Sequence, residues 1–184
     1  VLIVFAFVFS AAVAMMRGGP AAISAVYERQ TFEYIGDIGK TSSIQKLFHD
    51  YLTIHPHLSM HAKVHPPGPI ALLWLMSFVL GQDPMTLSLA TMAFGVLAVI
   101  PLYFWVRDMT NQRTALTCCL LYSLVPTIVL FTATSADILF MPFTVTTVFL
   151  FWRALHRKSI AYAAAAGAMY AVLSLLSFSL ISVG

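Results

Sequence analysis

From Pro69 to Val183 the chain is a series of apolar runs separated by short polar breaks, and this stretch limits most severely what the chain can fold into. The charged residues within it are Asp83, Arg107, Asp108, Arg113, Asp137, Arg153, Arg157 and Lys158, and none stands near the middle of an apolar run. Backbone amides held away from water must bond within their own segment, so runs of this kind form helices in a bilayer. The composition agrees. Some 60% of the residues are hydrophobic and 9% are charged, where a soluble domain carries about 25% charged residues. Mean hydropathy is +0.87. The expected fold class is an all-α, polytopic transmembrane helix bundle embedded in the lipid bilayer.

A helical span needs about 20 apolar residues. Spans are expected at about 1–16, 85–106, 114–131, 138–155 and 159–183. The first reads as the end of a longer span, and residues 1–184 as the N-terminal part of a longer transmembrane module. Arg17 follows the first apolar run rather than preceding it, which is the wrong order for a secretory leader. Pro69–Leu80 stands apart: its 12 residues rise roughly 18 Å as a helix. The hydrocarbon core is about 30 Å thick, so this short helix (69–80) is expected to lie at the interface or to re-enter. Residues 17–68 are the only long polar region and hold five of the six histidines. Within it, Ser42 or Ser43 is placed to cap a short helix reaching about Leu52, with Ile44, Leu47, Phe48 and Tyr51 on one side.

Basic residues set the orientation. Arg107 and Arg113 flank one short loop, and Arg153, Arg157 and Lys158 another, while the turn between them carries only Asp137. The positive-inside rule puts both basic loops in the cytoplasm and Asp137 outside. If Pro69–Leu80 does not cross, the loop 17–84 lies outside as well; if it crosses, residues 17–68 face the opposite side. Its length favours the first arrangement. The acids Glu28, Glu33, Asp37, Asp50, Asp83 and Asp137 then gather on the outer face. An ion-coupled transporter places ionisable groups at mid-depth, and none is seen. Scattered basic residues and a net charge of +3 give no nucleic-acid surface. Cys118 and Cys119, neighbours on one helix, cannot staple separate elements.

Residues 61–69 read His-Ala-Lys-Val-His-Pro-Pro-Gly-Pro. Pro66 and Pro67 favour extended backbone before them, and Pro69 suits the first turn of a helix. The result is a strap that holds Lys63 and His65 at the head of the short apolar helix. His57, His61 and His65 recur every four residues, but the outer two would stand about 12 Å apart along a helix. One ion at about 2.1 Å from each nitrogen does not reach both, and Pro66 deforms the His61–His65 pair. No metal ligands are assigned.

The order of short motifs resembles the start of a GT-C membrane glycosyltransferase of the protein-mannosyltransferase and aminoarabinose-transferase type. Those motifs are Tyr34-Ile-Gly-Asp-Ile38 after the first span, His65-Pro-Pro-Gly68 opening the short helix, and Gly81-Gln-Asp-Pro84. A span ending in Tyr103-Phe-Trp-Val-Arg107 follows, then one ending near Pro126 with Asp137 just beyond. The resemblance implies a polyprenyl-phosphate-linked hexose or pentose as donor, its lipid tail lying between spans. The acceptor hydroxyl would belong to a protein, a glycolipid or a polysaccharide. The membrane would be the bacterial inner or plasma membrane, with the site on its external, periplasmic face. The family's external-loop base falls on Asp37, and its second external acid, which in some relatives binds a divalent metal, on Asp137. Relatives often carry two adjacent acids in the first loop. Here Asp37 is flanked by Gly36 and Ile38, so Glu33 is either its partner or the base itself.

Chemistry asks for the same parts. A hydroxyl attacking an anomeric carbon needs a carboxylate to take its proton, and the leaving phosphate needs positive charge. Lys63 and His65, with Arg29 nearby, are the local cations, and His61 and Tyr34 complete the expected substrate contacts. Plainer roles stand beside these. Asp37 has the setting of a turn aspartate, Asp137 that of a helix N-cap, and Lys63 that of a snorkelling side chain. Trp74, Trp105 and Trp152 read as interfacial anchors. The rival functions are a non-catalytic polytopic protein (a transporter or assembly scaffold) and a ligase- or flippase-like enzyme acting on the same lipid carrier.

Overall fold

Caps and prolines set the helix boundaries. The computed structural model describes residues 1–16 and 18–183, and among the described residues every regular element is an α-helix or a 3-10 turn. Helix α1 is Leu2–Met15. In the polar region, Ser43 accepts from the Lys46 amide and starts α2, Ile44–Ile54. The short α3, Met60–Lys63, is capped in the same way by Ser59. Helix α4, Gly68–Leu80, opens over the proline strap and remains a 13-residue helix. Asp83 then accepts from both the amide and the hydroxyl of Thr86, each at 2.8 Å, and begins α5, Pro84–Gly95.

Helix α5 runs through the 3-10 turn Val96–Ala98 into α6, Val99–Met109. Together these make a 26-residue apolar helix, Pro84–Met109, long enough to cross a membrane. A second such helix, Ala136–Arg157, joins the 3-10 turn Ala136–Phe140 to α9, Met141–Arg157. Lys158 terminates α9 in the left-handed region, with φ at 48°. The bundle is thus an all-α membrane bundle, and the chain is an integral membrane protein.

Two expected spans come out differently. The run 114–131 is broken into α7, Gln112–Leu124, and α8, Pro126–Thr134, with a bend of 57° between them. Pro126 has no amide hydrogen and drives Val125 out of the helical region, to ψ of 121°. The last run, expected to stay helical to 183, ends as α10, Ile160–Leu176. Ser177 is extended, and Phe178–Val183 turns back as a 3-10 segment whose Ile181 carbonyl accepts from the Tyr170 hydroxyl at 2.6 Å.

The polar region packs as part of the body. Tyr27, Tyr34, Ile35, Ile38, Leu47 and Leu58 share one buried cluster with Ile70 and Leu73 of α4 and with Leu139 and Phe140. The head of α4 lies directly under the end of α10. A Cβ on Gly68 would stand 2.1 Å from the Leu175 carbonyl oxygen, so only glycine permits that approach. At the opposite end of the bundle Arg153 donates to Asp108 at 2.8 and 2.5 Å and stacks on Phe149 at 4.6 Å. Its third nitrogen reaches the Tyr162 hydroxyl at 3.3 Å, tying α6, α9 and α10 together.

Candidate active site

Tyr34 is the centre of the site. It begins a 3-10 turn, Tyr34–Lys40, and is 1% exposed. Its hydroxyl donates to Asp137 Oδ1 at 2.9 Å, joining the polar region to the turn that precedes α9. The His61 and His65 rings pack against the Tyr34 ring with centroids at 6.0 and 5.7 Å, and His65 also meets Phe140 at 5.8 Å. Glu33, the residue before Tyr34, is 7% exposed. Its Oε2 lies 3.3 Å from His61 Nδ1 and has no well-formed hydrogen bond among the described residues. Glu33, Tyr34, His61, His65 and Asp137 therefore form one group, built from segments more than a hundred residues apart.

Local backbone bonds put the histidines there. The Met60 amide donates to the Thr31 carbonyl at 3.2 Å and the His61 amide to the Phe32 carbonyl at 3.1 Å, which lays α3 against the chain leading into Glu33. The Tyr51 hydroxyl donates to the Ala62 carbonyl at 3.3 Å and to that of His65 at 2.5 Å. His65 Nδ1 lies 2.9 Å from the His61 carbonyl. A carbonyl only accepts, so Nδ1 carries the proton and Nε2 keeps its lone pair in the neutral ring.

Asp37, the residue expected to be the base, is in a different situation. Both of its carboxylate oxygens accept from the Ser59 amide at 3.1 Å. Lys40 Nζ donates to Oδ1 at 2.7 Å and to the His57 carbonyl at 2.6 Å. The Asp37 side chain is fully enclosed. Lys63 is exposed, and its backbone carbonyl, rather than its ammonium, is engaged, lying 3.0 Å from His55 Nε2. Two participants had been missed: Lys40, whose signal was its i+3 spacing from Asp37, and Tyr27, whose hydroxyl pairs with Thr91 at 2.6 Å.

A cavity of about 300 Å³ opens beside the group; of the group's five members His65 and Asp137 line it, with the hydroxyl-bearing Thr127, Thr144, Ser177 and Ser179. Its remaining walls include Phe131 of α8, Met141 of α9 and Leu180 of the returning 3-10 segment. The bend at Pro126 and the break at Ser177 thus shape this space, which straight helices would have left differently walled.

Burial pushes the Glu33 carboxyl above the ordinary glutamate range. His61 offsets part of that rise, Asp137 adds to it and Arg29 opposes it. Burial, and after it the Asp137 charge, pushes the Tyr34 phenol upward, so it remains a protonated donor. Among the described residues no three His, Cys, Asp or Glu side chains stand close enough to hold a metal ion.

A family profile described as dolichyl-phosphate-mannose-protein mannosyltransferase matches residues 64–183. The match takes in His65, α4 to α10 and Asp137, and leaves Glu33, Tyr34, Asp37 and His61 outside it. No curated protein and no solved structure matches the chain.

Proposed function

Because the chain belongs to the dolichyl-phosphate-mannose-protein mannosyltransferase family, and is thereby a membrane glycosyltransferase of the GT-C type, we propose that it moves a sugar from a polyprenyl-phosphate donor to an acceptor hydroxyl with Glu33 as general base. The observation that supports this most directly is the Tyr34 hydroxyl's bond to Asp137, which sets Glu33, the residue before Tyr34 and close enough to feel the Asp137 charge, next to a cavity that His65 and Asp137 line. The acceptor oxygen forms a bond to the anomeric carbon. The bond from that carbon to the phosphate oxygen breaks, and its electron pair leaves with the lipid phosphate. The acceptor's proton goes to the Glu33 carboxylate.

Glu33 is preferred to Asp37 on accepting capacity. Asp37 already takes the Ser59 amide on both oxygens and Lys40 on one, whereas Glu33 Oε2 has room for a proton. Asp37 then acts as the anchor that holds α3, and with it His61 and His65, against Tyr34. Asp137 orients the Tyr34 hydroxyl and lines the donor's space. His65 lines the cavity beside Asp137, and the exposed Lys63, two residues before it, supplies the ammonium for the leaving phosphate. The lipid tail lies along the apolar walls, and the site faces the external side, following the distribution of basic loops.

The test uses the full-length protein and dolichyl-phosphate-mannose labelled in the sugar. Glu33→Gln is expected to lower transfer by about 100-fold or more, the usual weight of a general base. Asp37→Asn is expected to lower it less and to lower the melting temperature with it. Full transfer by Glu33→Gln alongside loss in a still-folded Asp37→Asn would return the base role to Asp37.

A further inference from the structure

A buried base must be charged before the reaction and must lose its captured proton after it. Glu33 lies in an enclosed position: its side chain is 9% exposed, while that of His61, the group nearest its Oε2, is 43% exposed. Resting on the reading of Glu33 as base, we infer that His61 is its proton partner, holding the buried carboxylate charged before transfer and carrying the acceptor's proton to solvent afterwards.

The geometry carries this in three ways. His61 Nδ1 stands 3.3 Å from Glu33 Oε2, an oxygen without any well-formed hydrogen bond among the described residues. The ring is held in register by the His61 amide on the Phe32 carbonyl, one residue from Glu33, and by packing on Tyr34. The imidazole bridges an enclosed oxygen and the outside, which Glu33 itself does not reach. The other groups facing Glu33 are Arg29 and Tyr27 from the preceding segment, Tyr34 beside it and Asp137 from the turn before α9. Asp137 works against the carboxylate's charge, Tyr34 is spent on Asp137, and Tyr27 is spent on Thr91. Arg29 is exposed and favours the charge less than His61 does.

The proton balance closes without a further reactant. After transfer, Glu33 holds a carboxyl O–H. The imidazolium that held it charged gives one ring proton to water, which leaves a neutral ring with its lone pair on Nδ1. That nitrogen then takes the Glu33 proton, the O–H bond breaking as the N–H bond forms, and the carboxylate–imidazolium pair is restored.

Infrared difference spectra of the full-length protein, recorded across pH in lipid nanodiscs, test this without any substrate. The carboxyl stretch that disappears in Glu33→Gln belongs to Glu33. In His61→Gln, and in His61→Ala as a second variant that brings no amide, that stretch is expected to appear at a proton concentration about tenfold lower than in the parent, the usual effect of losing an adjacent opposite charge. On transfer to D2O its isotope shift is expected to develop more slowly. An unmoved midpoint or an unchanged exchange rate in both variants overturns the proposal. Retained sugar transfer by Glu33→Gln would instead remove the base reading, and the spectrum would still report whether the pair exists.

Discussion

At the scale of single residues, Glu33 and Asp37 are both buried acids on one short turn, and their surroundings give them opposite energetics. Asp37 is neutralised by an amide and an ammonium, so it contributes to the fold. Glu33 is enclosed beside a second acid, and burial raises its carboxyl above the ordinary range. A carboxyl raised in the folded state adds stability below its unfolded value, and that contribution is lost as pH rises through the folded value. Glu33 therefore costs the protein stability at neutral pH relative to acid. Thermal melting of Glu33→Gln is expected to exceed that of the parent at pH 7, and the gain should vanish in acid, where both side chains are neutral. A variant that melts lower than the parent at pH 7 would contradict this. The sequence brought Glu33, Tyr34, Asp37 and Asp137 forward through the family resemblance, and His61 and His65 through the proline strap that carries them. It could not rank Glu33 against Asp37. That ranking depends on the Ser59 amide, 22 residues away, and on contacts that no local pattern encodes.

At the scale of elements, departures from ideal helices form the site. Hydropathy found the apolar runs but not their breaks, since the residues on both sides of Pro126 and of Ser177 are equally apolar. Pro126 was visible as a helix breaker in principle, yet the 57° size of its bend is not written in the local pattern. The short α4 was legible from length alone. Its docking was not, because the contact of Gly68 with the Leu175 carbonyl joins positions more than a hundred residues apart. Gly68→Ala is expected to separate α4 from α10 at a cost of about 1–3 kcal/mol, as overpacking does, and to lower transfer through His65. Gly39→Ala, where a Cβ meets nothing within 4 Å, should melt as the parent does. Equal melting of the two variants would show that this close approach does not matter.

At the scale of the whole molecule, the account needs the polar region and Asp137 on one side of the membrane and the Arg153–Asp108 clamp on the other. If Pro84–Met109 and the bent α7–α8 pair each cross once, the hydrogen bond from Tyr34 to Asp137 is reached by an α4 that does not cross, in keeping with its length. The most direct measurement is cysteine accessibility in the full-length protein with Cys118 and Cys119 replaced by alanine. Lys63→Cys and Gln112→Cys, both at exposed positions, are each treated in intact cells with a membrane-impermeant thiol reagent. The account predicts that Cys at 63 is labelled from outside, and that Cys at 112 is labelled only after permeabilisation. Labelling of both positions from the same side would contradict it.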